Sequence, residues 1–184
     1  MGVMLQITVP AVELYDEKNN MFINLEERTL HLEHSLVSVS KWEAKYCKPF
    51  ISKTDKTDEE VVDYIKMMTL TQDVEPDVYK RLTKANYEAI ENYINAPMTA
   101  TTFKDMNGGG KKNNDVVTNE VIYYWMVSLG IDKEYEEWHL NRLLTLVRVC
   151  NEKNAPQKKM SKKDTINQYA ALNKARRQKL NSKG

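Results

Sequence analysis

The sequence predicts a mainly α protein of the α+β class. Three features indicate this: an apolar, aromatic-rich run at 116–151 (the central run), alternating apolar and polar residues in the first 34 positions, and a basic, helix-prone segment at 158–184. We therefore expect a helical domain at 35–157 built around a central helical hairpin. A small antiparallel β element at 1–34 precedes it, and a basic helical or disordered tail at 158–184 follows it.

The first 34 residues carry the alternation that is typical of half-buried strands. Residues Met4–Val9 and Thr29–His34 alternate apolar and polar side chains. Shorter stretches at Val12–Tyr15 and Met21–Asn24 flank a polar turn at 16–20, which indicates a hairpin. Because two or three strands alone are only marginally stable, we expect this element to pack on the helices.

Four helices are predicted between the β element and the central run, because apolar residues recur there every three to four positions. Asp58 and Thr83 suit N-caps, Pro76 suits a first turn, and Pro49 stops the first helix. The four expected helices are Ser35–Tyr46, Glu59–Thr69, Asp77–Leu82 and Lys84–Asn95.

The central run predicts two helices, Asn119–Leu129 and Lys133–Asn151, joined near Gly130. Thr118 and Asp132 suit N-caps, and Gly130 stands where a left-handed C-cap is expected, because glycine has no Cβ to clash there. Neither helix shows a narrow apolar stripe, so each must be covered on several sides. The run is therefore either the centre of the domain or a surface that binds a partner.

Aromatic and leucine side chains of the central run are the predicted contacts to a partner polypeptide. An apolar helix face that the domain itself does not cover is typical of helix-in-groove binding. Two arginines of the tail join the set, because a guanidinium can contact an acidic surface or a phosphate. The predicted partner-binding residues are Tyr124, Trp125, Trp138, Leu143, Leu146, Arg176 and Arg177.

The net charge of +1 conceals an uneven distribution. Residues 158–184 hold nine Lys and Arg against one acid, or +8, so the rest of the chain holds 18 basic against 25 acidic residues, or −7. Such a tail can contact nucleic-acid phosphates, or it can dock on an acidic protein surface, including that of this protein's own body. Self-association therefore stays open, as does a tail that is simply solvated.

The sequence lacks the usual patterns of catalytic, metal and nucleotide sites. His31 and His34 are three residues apart, whereas the helical zinc motif needs four, and His139 is expected to be a hydrogen-bonded structural residue. Gly108–Lys112 resembles a phosphate loop only superficially, because no Ser or Thr follows its lysines. The glycine-rich segment 104–115 is expected to be a mobile loop. We predict no enzyme activity, no metal and no cofactor.

The cysteine and hydropathy patterns predict an intracellular location. Cys47 and Cys150 are far apart in sequence and have no CxxC spacing, which is typical of free thiols. No signal peptide is recognisable at the N-terminus, and no apolar run approaches the roughly 18 residues of a membrane span. We therefore expect a cytoplasmic protein that does not contact a membrane.

Three stretches resemble a family of tailed-bacteriophage proteins of the siphovirus type, whose members are described as tail assembly chaperones. They are LEHSLVSVSKWEAKYCKPF at 32–50, INAPMTATTF at 94–103, and EVIYYWMVSLGI with EWHLNRLLTLVRVCNEKNAPQKKMSKKD within 120–164. The resemblance spans roughly residues 29–180 and implies a non-enzymatic scaffold in the host cytoplasm. Such a chaperone binds the aggregation-prone tape measure protein and helps to recruit tail tube subunits.

Two other functions remain open beside the chaperone. One is a structural virion component, such as a tail protein or a head–tail connector. The other is a small nucleic-acid-binding protein that acts through the basic tail. The resemblance also implies that a frameshift can produce a longer second form in such phages.

Overall fold

The protein is mainly α-helical with a small antiparallel β part, which confirms the predicted fold class. A computed structural model describes residues 4–16, 20–52, 55–103, 116–155 and 162–180. The chain divides into two compact units, Met1–Asn151 and Glu152–Gly184. The β strands and the first six helices start in the first unit, and the last helix lies in the second. The predicted mobile loop at 104–115 lies outside the described residues.

Four strands form one two-stranded ribbon that is interrupted halfway. β1 (Leu5–Val9) pairs with β4 (Arg28–Leu32), and β2 (Val12–Asp16) pairs with β3 (Met21–Leu25), both antiparallel. The two ladders share one register, with Pro10 and its neighbour opposite two glutamates at the interruption. Proline has no N–H to donate to a ladder, which explains a break at this position.

The base of the ribbon belongs to the hydrophobic core, whereas its tip is exposed to solvent. Ile7, Val9, Leu30 and Leu32 are buried in the main hydrophobic cluster, whereas Phe22 near the tip is 64% exposed. The base also packs on a helix, as the sequence predicts for so small a sheet.

The interruption in the ribbon is held by an arginine. Arg81 Nη1 donates to the carbonyl oxygens of Pro10, at 2.7 Å, and of Glu26, at 3.3 Å, on the two sides of the break. Carbonyls that lose their ladder partners still need donors, and a guanidinium offers several in one plane. Arg81 therefore holds the ribbon at the point where its own hydrogen bonding stops.

Seven α-helices and one 3-10 helix follow in the described residues. Three N-cap residues, Ser35, Thr57 and Thr83, form capping boxes. In each box the N-cap side chain accepts from the backbone N–H three residues later, and the side chain of that later residue accepts from the N-cap backbone N–H. Thr57 therefore replaces the predicted cap Asp58, which lies inside the helix. The helices are α1 (Leu36–Tyr46), α2 (Asp58–Met68), α3 (Pro76–Lys80), α4 (Lys84–Asn95), α5 (Asn119–Leu129), the 3-10 helix (Lys133–Glu137), α6 (Leu140–Asn154) and α7 (Lys162–Lys179).

The closest helix packing involves α1. It packs against α2, α5 and the 3-10 helix, whereas close packing of α5 along α6 is not found among the described residues. Trp42 on α1 is 1% exposed, and its indole Nε1 donates to the carbonyl of Glu60 on α2 at 3.0 Å. A buried Trp with a satisfied N–H contributes a large apolar area without leaving a polar atom unpaired. The first unit is therefore assembled around α1 more than around the predicted hairpin.

The second helix of the predicted hairpin is in fact two. The backbone from Lys133 to Glu137 is a 3-10 helix, Trp138 is extended, and α6 starts only at Leu140. At the break, His139 forms a β-bridge with Ser35, and the Leu140 N–H donates to the His34 carbonyl at 2.8 Å. The predicted continuous helix at 133–151 is wrong, because these tertiary hydrogen bonds replace helical ones. By contrast, α5 has the predicted bounds.

Candidate partner surfaces

Helix α5 presents apolar side chains to solvent. Tyr124 is 69% exposed and Val127 is 81% exposed, and they lie three residues apart on one helix face. Val121 and Tyr123 flank them and are half-buried. We call these four residues the α5 stripe. The adjacent Trp125 is half-buried and packs against the core, as Tyr123 also does, and it borders the stripe.

The position of α5 is fixed by a carboxylate of α1. Glu43 is 7% exposed, and its Oε2 accepts from the backbone N–H of Asn119 at 2.7 Å and from the Asn119 side-chain amide at 2.6 Å. Its Oε1 accepts from the Phe50 N–H at 2.6 Å. A negative charge is favourable where helix N–H groups lack partners. The predicted cap Thr118 is the N-cap residue but makes no side-chain capping bond, so Glu43 supplies this role.

Trp138 lies on a second surface, beside the 3-10 helix. It is half-buried, and its ring meets that of Tyr135 edge-on at a centroid distance of 4.4 Å. The guanidinium carbon of Arg142 on α6 lies 3.7 Å from the Trp138 ring centroid. Stacking of this kind fixes the indole orientation, so Trp138 can present a defined surface.

The two predicted leucines of α6 differ. Leu143 is 0% exposed and belongs to the core cluster, so its prediction as a partner contact is corrected. Leu146 is half-buried. A helix that is apolar most of the way round does not reveal in its sequence which leucine faces the core.

The predicted tail residues lie in the second unit. Arg176 and Arg177 are on α7, and every side chain from Ile166 to Leu180 is exposed. The predicted partner residues therefore fall on four separate parts of the chain: α5, the extended residue between the 3-10 helix and α6, α6 itself, and α7. Val127 was missed by sequence reasoning, although Glu120 and Ser128 on the same face of α5 mark that face as exposed.

Two buried histidines, His34 and His139, belong to a polar cluster within the core. His34 Nδ1 lies 2.5 Å from the Tyr64 hydroxyl, which in turn lies 3.2 Å from Ser38 Oγ. The His34 and His139 rings meet edge-on at a centroid distance of 5.0 Å. A buried polar group costs little when it is hydrogen-bonded, which this chain of contacts achieves.

His139 is held as one neutral tautomer. Its Nε2 lies 2.9 Å from the Tyr93 carbonyl, which can only accept, and its Nδ1 receives the Asn141 N–H at 3.3 Å. The proton is therefore on Nε2. The prediction that His139 is hydrogen-bonded is confirmed.

The environment of these residues disfavours charge. Burial, followed by the proximity of His139, lowers the pKa of His34 to about 3. Burial likewise lowers the pKa of His139 and raises that of the Tyr64 hydroxyl. Within the described ranges, no three or more His, Cys, Asp or Glu side chains are grouped so that they could hold a metal ion. The phosphate-loop-like stretch Gly108–Lys112 lies outside those ranges.

We expect the free energy of unfolding to decrease as the pH falls from about 6.5 towards about 3. In that window unfolded His34 binds a proton and folded His34 does not, so protonation favours the unfolded state. The slope from His34 alone is about 1.4 kcal/mol per pH unit. Urea unfolding between pH 7 and 4 would measure it. A His34→Asn variant keeps a donor near Tyr64 and should show a shallower slope, whereas an unchanged slope would contradict this role.

None of the described helices combines the length and the apolar character that crossing a membrane requires. Comparison of the chain with protein-family models, with curated proteins and with solved structures finds no match.

Proposed function

We propose that this protein is a phage tail assembly chaperone that binds the tape measure protein and helps to recruit tail tube subunits during virion morphogenesis. The observation that supports the proposal is the α5 stripe, an uncovered apolar helix face with Val127 81% exposed. The sequence resemblance to tail assembly chaperones points to the same class of partner, a long helical polypeptide.

The stripe has properties that suit a chaperone. Its residues belong to a helix whose N-terminus is fixed by Glu43, so the exposed face keeps a defined orientation. Covering a Val or Tyr side chain contributes roughly 1–3 kcal/mol each through the hydrophobic effect. A few such contacts give a weak interface, which a chaperone needs because its partner must later be released.

A charge placed in the α5 stripe should weaken partner binding. We expect Val127→Glu to weaken binding of a tape measure fragment by about tenfold or more, because burial would then desolvate a carboxylate. Co-expression followed by size-exclusion chromatography measures the complex, and calorimetry measures its affinity. Asn92→Glu, which adds the same charge on the exposed side of α4, is the matched control and should bind as the unaltered chain does.

Two results would overturn the chaperone proposal. One is a fragment that stays insoluble and never co-elutes with the unaltered chain. The other is equal binding by Val127→Glu and Asn92→Glu, which would place the contact away from α5.

The tip of the ribbon favours a second candidate, a structural virion component such as a tail or connector protein. Tyr15 is 51% exposed and Phe22 is 64% exposed, and their ring centroids lie 5.0 Å apart. An exposed aromatic pair on a two-stranded ribbon suits a permanent contact in an assembled particle. Mass spectrometry of purified particles separates the candidates: a stoichiometric amount of this chain favours the component, and its absence favours the chaperone.

A further inference from the structure

A groove lined by apolar and charged side chains lies beside the 3-10 helix and encloses about 430 Å³. Its apolar and aromatic lining residues are Met4, Leu70, Tyr135 and Trp138. Met4 is 41% exposed and Leu70 is 49% exposed, and both lie far from the α5 stripe in sequence. A concave, partly apolar surface of this size takes a few side chains of another polypeptide.

The charged residues that line this groove are all acidic. They are Glu33, Asp132, Glu134 and Glu137, and we call the whole feature the acidic groove. None of the four forms a salt bridge with a Lys or Arg of the described residues. Burial, followed by the charge of Glu137, raises the pKa of Glu33, in agreement with the position of both carboxylates in this groove. A cationic occupant would relieve this repulsion.

Helix α7 carries the complementary surface. Tyr169, Leu172, Arg176 and Leu180 are spaced three, four and four residues apart, so they share one helix face. Tyr169 is 64%, Leu172 47% and Leu180 74% exposed, and Arg177 lies next to this face. Helix α7 thus carries apolar and cationic side chains, and the groove is lined by apolar and acidic ones. The charge balance agrees, since residues 158–184 carry +8 and the rest of the chain −7.

We propose that the acidic groove of one copy of this protein binds helix α7 of a second copy. The aromatic and leucine side chains of α7 then cover the apolar lining residues of the groove, including the rings of Tyr135 and Trp138. Arg176 and Arg177 face the carboxylates. The two surfaces differ, so the contact is head-to-tail and can close into a ring or continue as a chain. An isolated helix is marginal in water, and this contact would stabilise α7.

A charge swap tests the proposal on the full chain. One variant carries Arg176→Glu with Arg177→Glu, and the other carries Glu134→Lys with Glu137→Lys. In each variant the groove and helix α7 carry charges of the same sign. Each variant should therefore associate with itself at least about tenfold more weakly than the unaltered chain does. Mixed together, the two variants should associate again, because each groove then meets a helix of opposite charge. Light scattering after size exclusion, over a range of protein concentrations, measures the association.

The matched control is Glu88→Lys with Glu91→Lys, which makes the same charge change on exposed positions of α4 and should associate normally. Circular dichroism confirms that each variant is folded. The proposal is overturned if the unaltered chain is monomeric at every concentration, or if mixing the two variants restores nothing. The acidic groove does not include the α5 stripe, so this inference and the proposed function can fail separately.

Discussion

Replacing Glu43 with alanine should destabilise the protein by about 3–5 kcal/mol, because two buried donors and one half-buried donor lose their acceptor together. These donors are the Phe50 N–H, the Asn119 N–H and the Asn119 side-chain amide, at 2.6–2.7 Å from the carboxylate. Equilibrium unfolding in urea measures the change. The lost hydrogen bonds lie in the segment after α1 and at the start of α5, so both regions should become less stable.

Two further variants sharpen this prediction. Glu43→Gln keeps one acceptor oxygen but turns an amide N–H₂ towards other donors, so its cost should lie between those of alanine and the unaltered chain. Lys41→Ala changes an exposed residue of the same helix and should stay within about 0.5 kcal/mol of the unaltered chain. Equal stability of Glu43→Ala and Lys41→Ala would show that the carboxylate does not hold α5.

Leu143→Ala should destabilise the protein by about 2–5 kcal/mol, because it leaves a cavity in the core that the surrounding side chains cannot fully fill. Leu143 is 0% exposed, whereas Leu146 on the same helix is half-buried. Leu146→Ala removes the same atoms and should cost only about 1 kcal/mol. The pair therefore separates a core residue from a surface residue with identical chemistry.

The same pair tests the partner surface. If Leu143 acts only in the core, its alanine variant should bind a partner normally under conditions in which it remains folded. Equal unfolding free energies for Leu143→Ala and Leu146→Ala would contradict the core position. Urea titrations followed by tryptophan fluorescence would report both values.

Local sequence signals were enough to predict several elements. Helix α4 begins after the capping residue Thr83, and helix α5 ends at Gly130, whose φ of 66° is left-handed, so both helices have the predicted bounds. These signals work because capping chemistry lies within a few residues of the helix end that it satisfies. The alternation of the first 34 residues likewise predicted the strands.

Signals between distant residues could not be read from the sequence. Glu43 caps a helix 76 residues away, and nothing local marks it as different from a surface glutamate. The break before α6 depends on the pairing of His139 with Ser35, which competes with a strong helical pattern. The acidic groove joins residues from the strand ends, the segment after α2 and the 3-10 helix, so it exists only in the folded chain.

The register that the two ladders share limits how the ribbon can change in length. Leu5 pairs with Leu32 and Asp16 with Met21, so both halves keep one alternation across the gap at Pro10. Removing one residue from a strand would exchange the inward and outward faces beyond that point. Removing two residues from each strand would keep every remaining side chain on its present face. The ribbon should therefore tolerate insertions and deletions when an even number of residues is added to, or removed from, both paired strands.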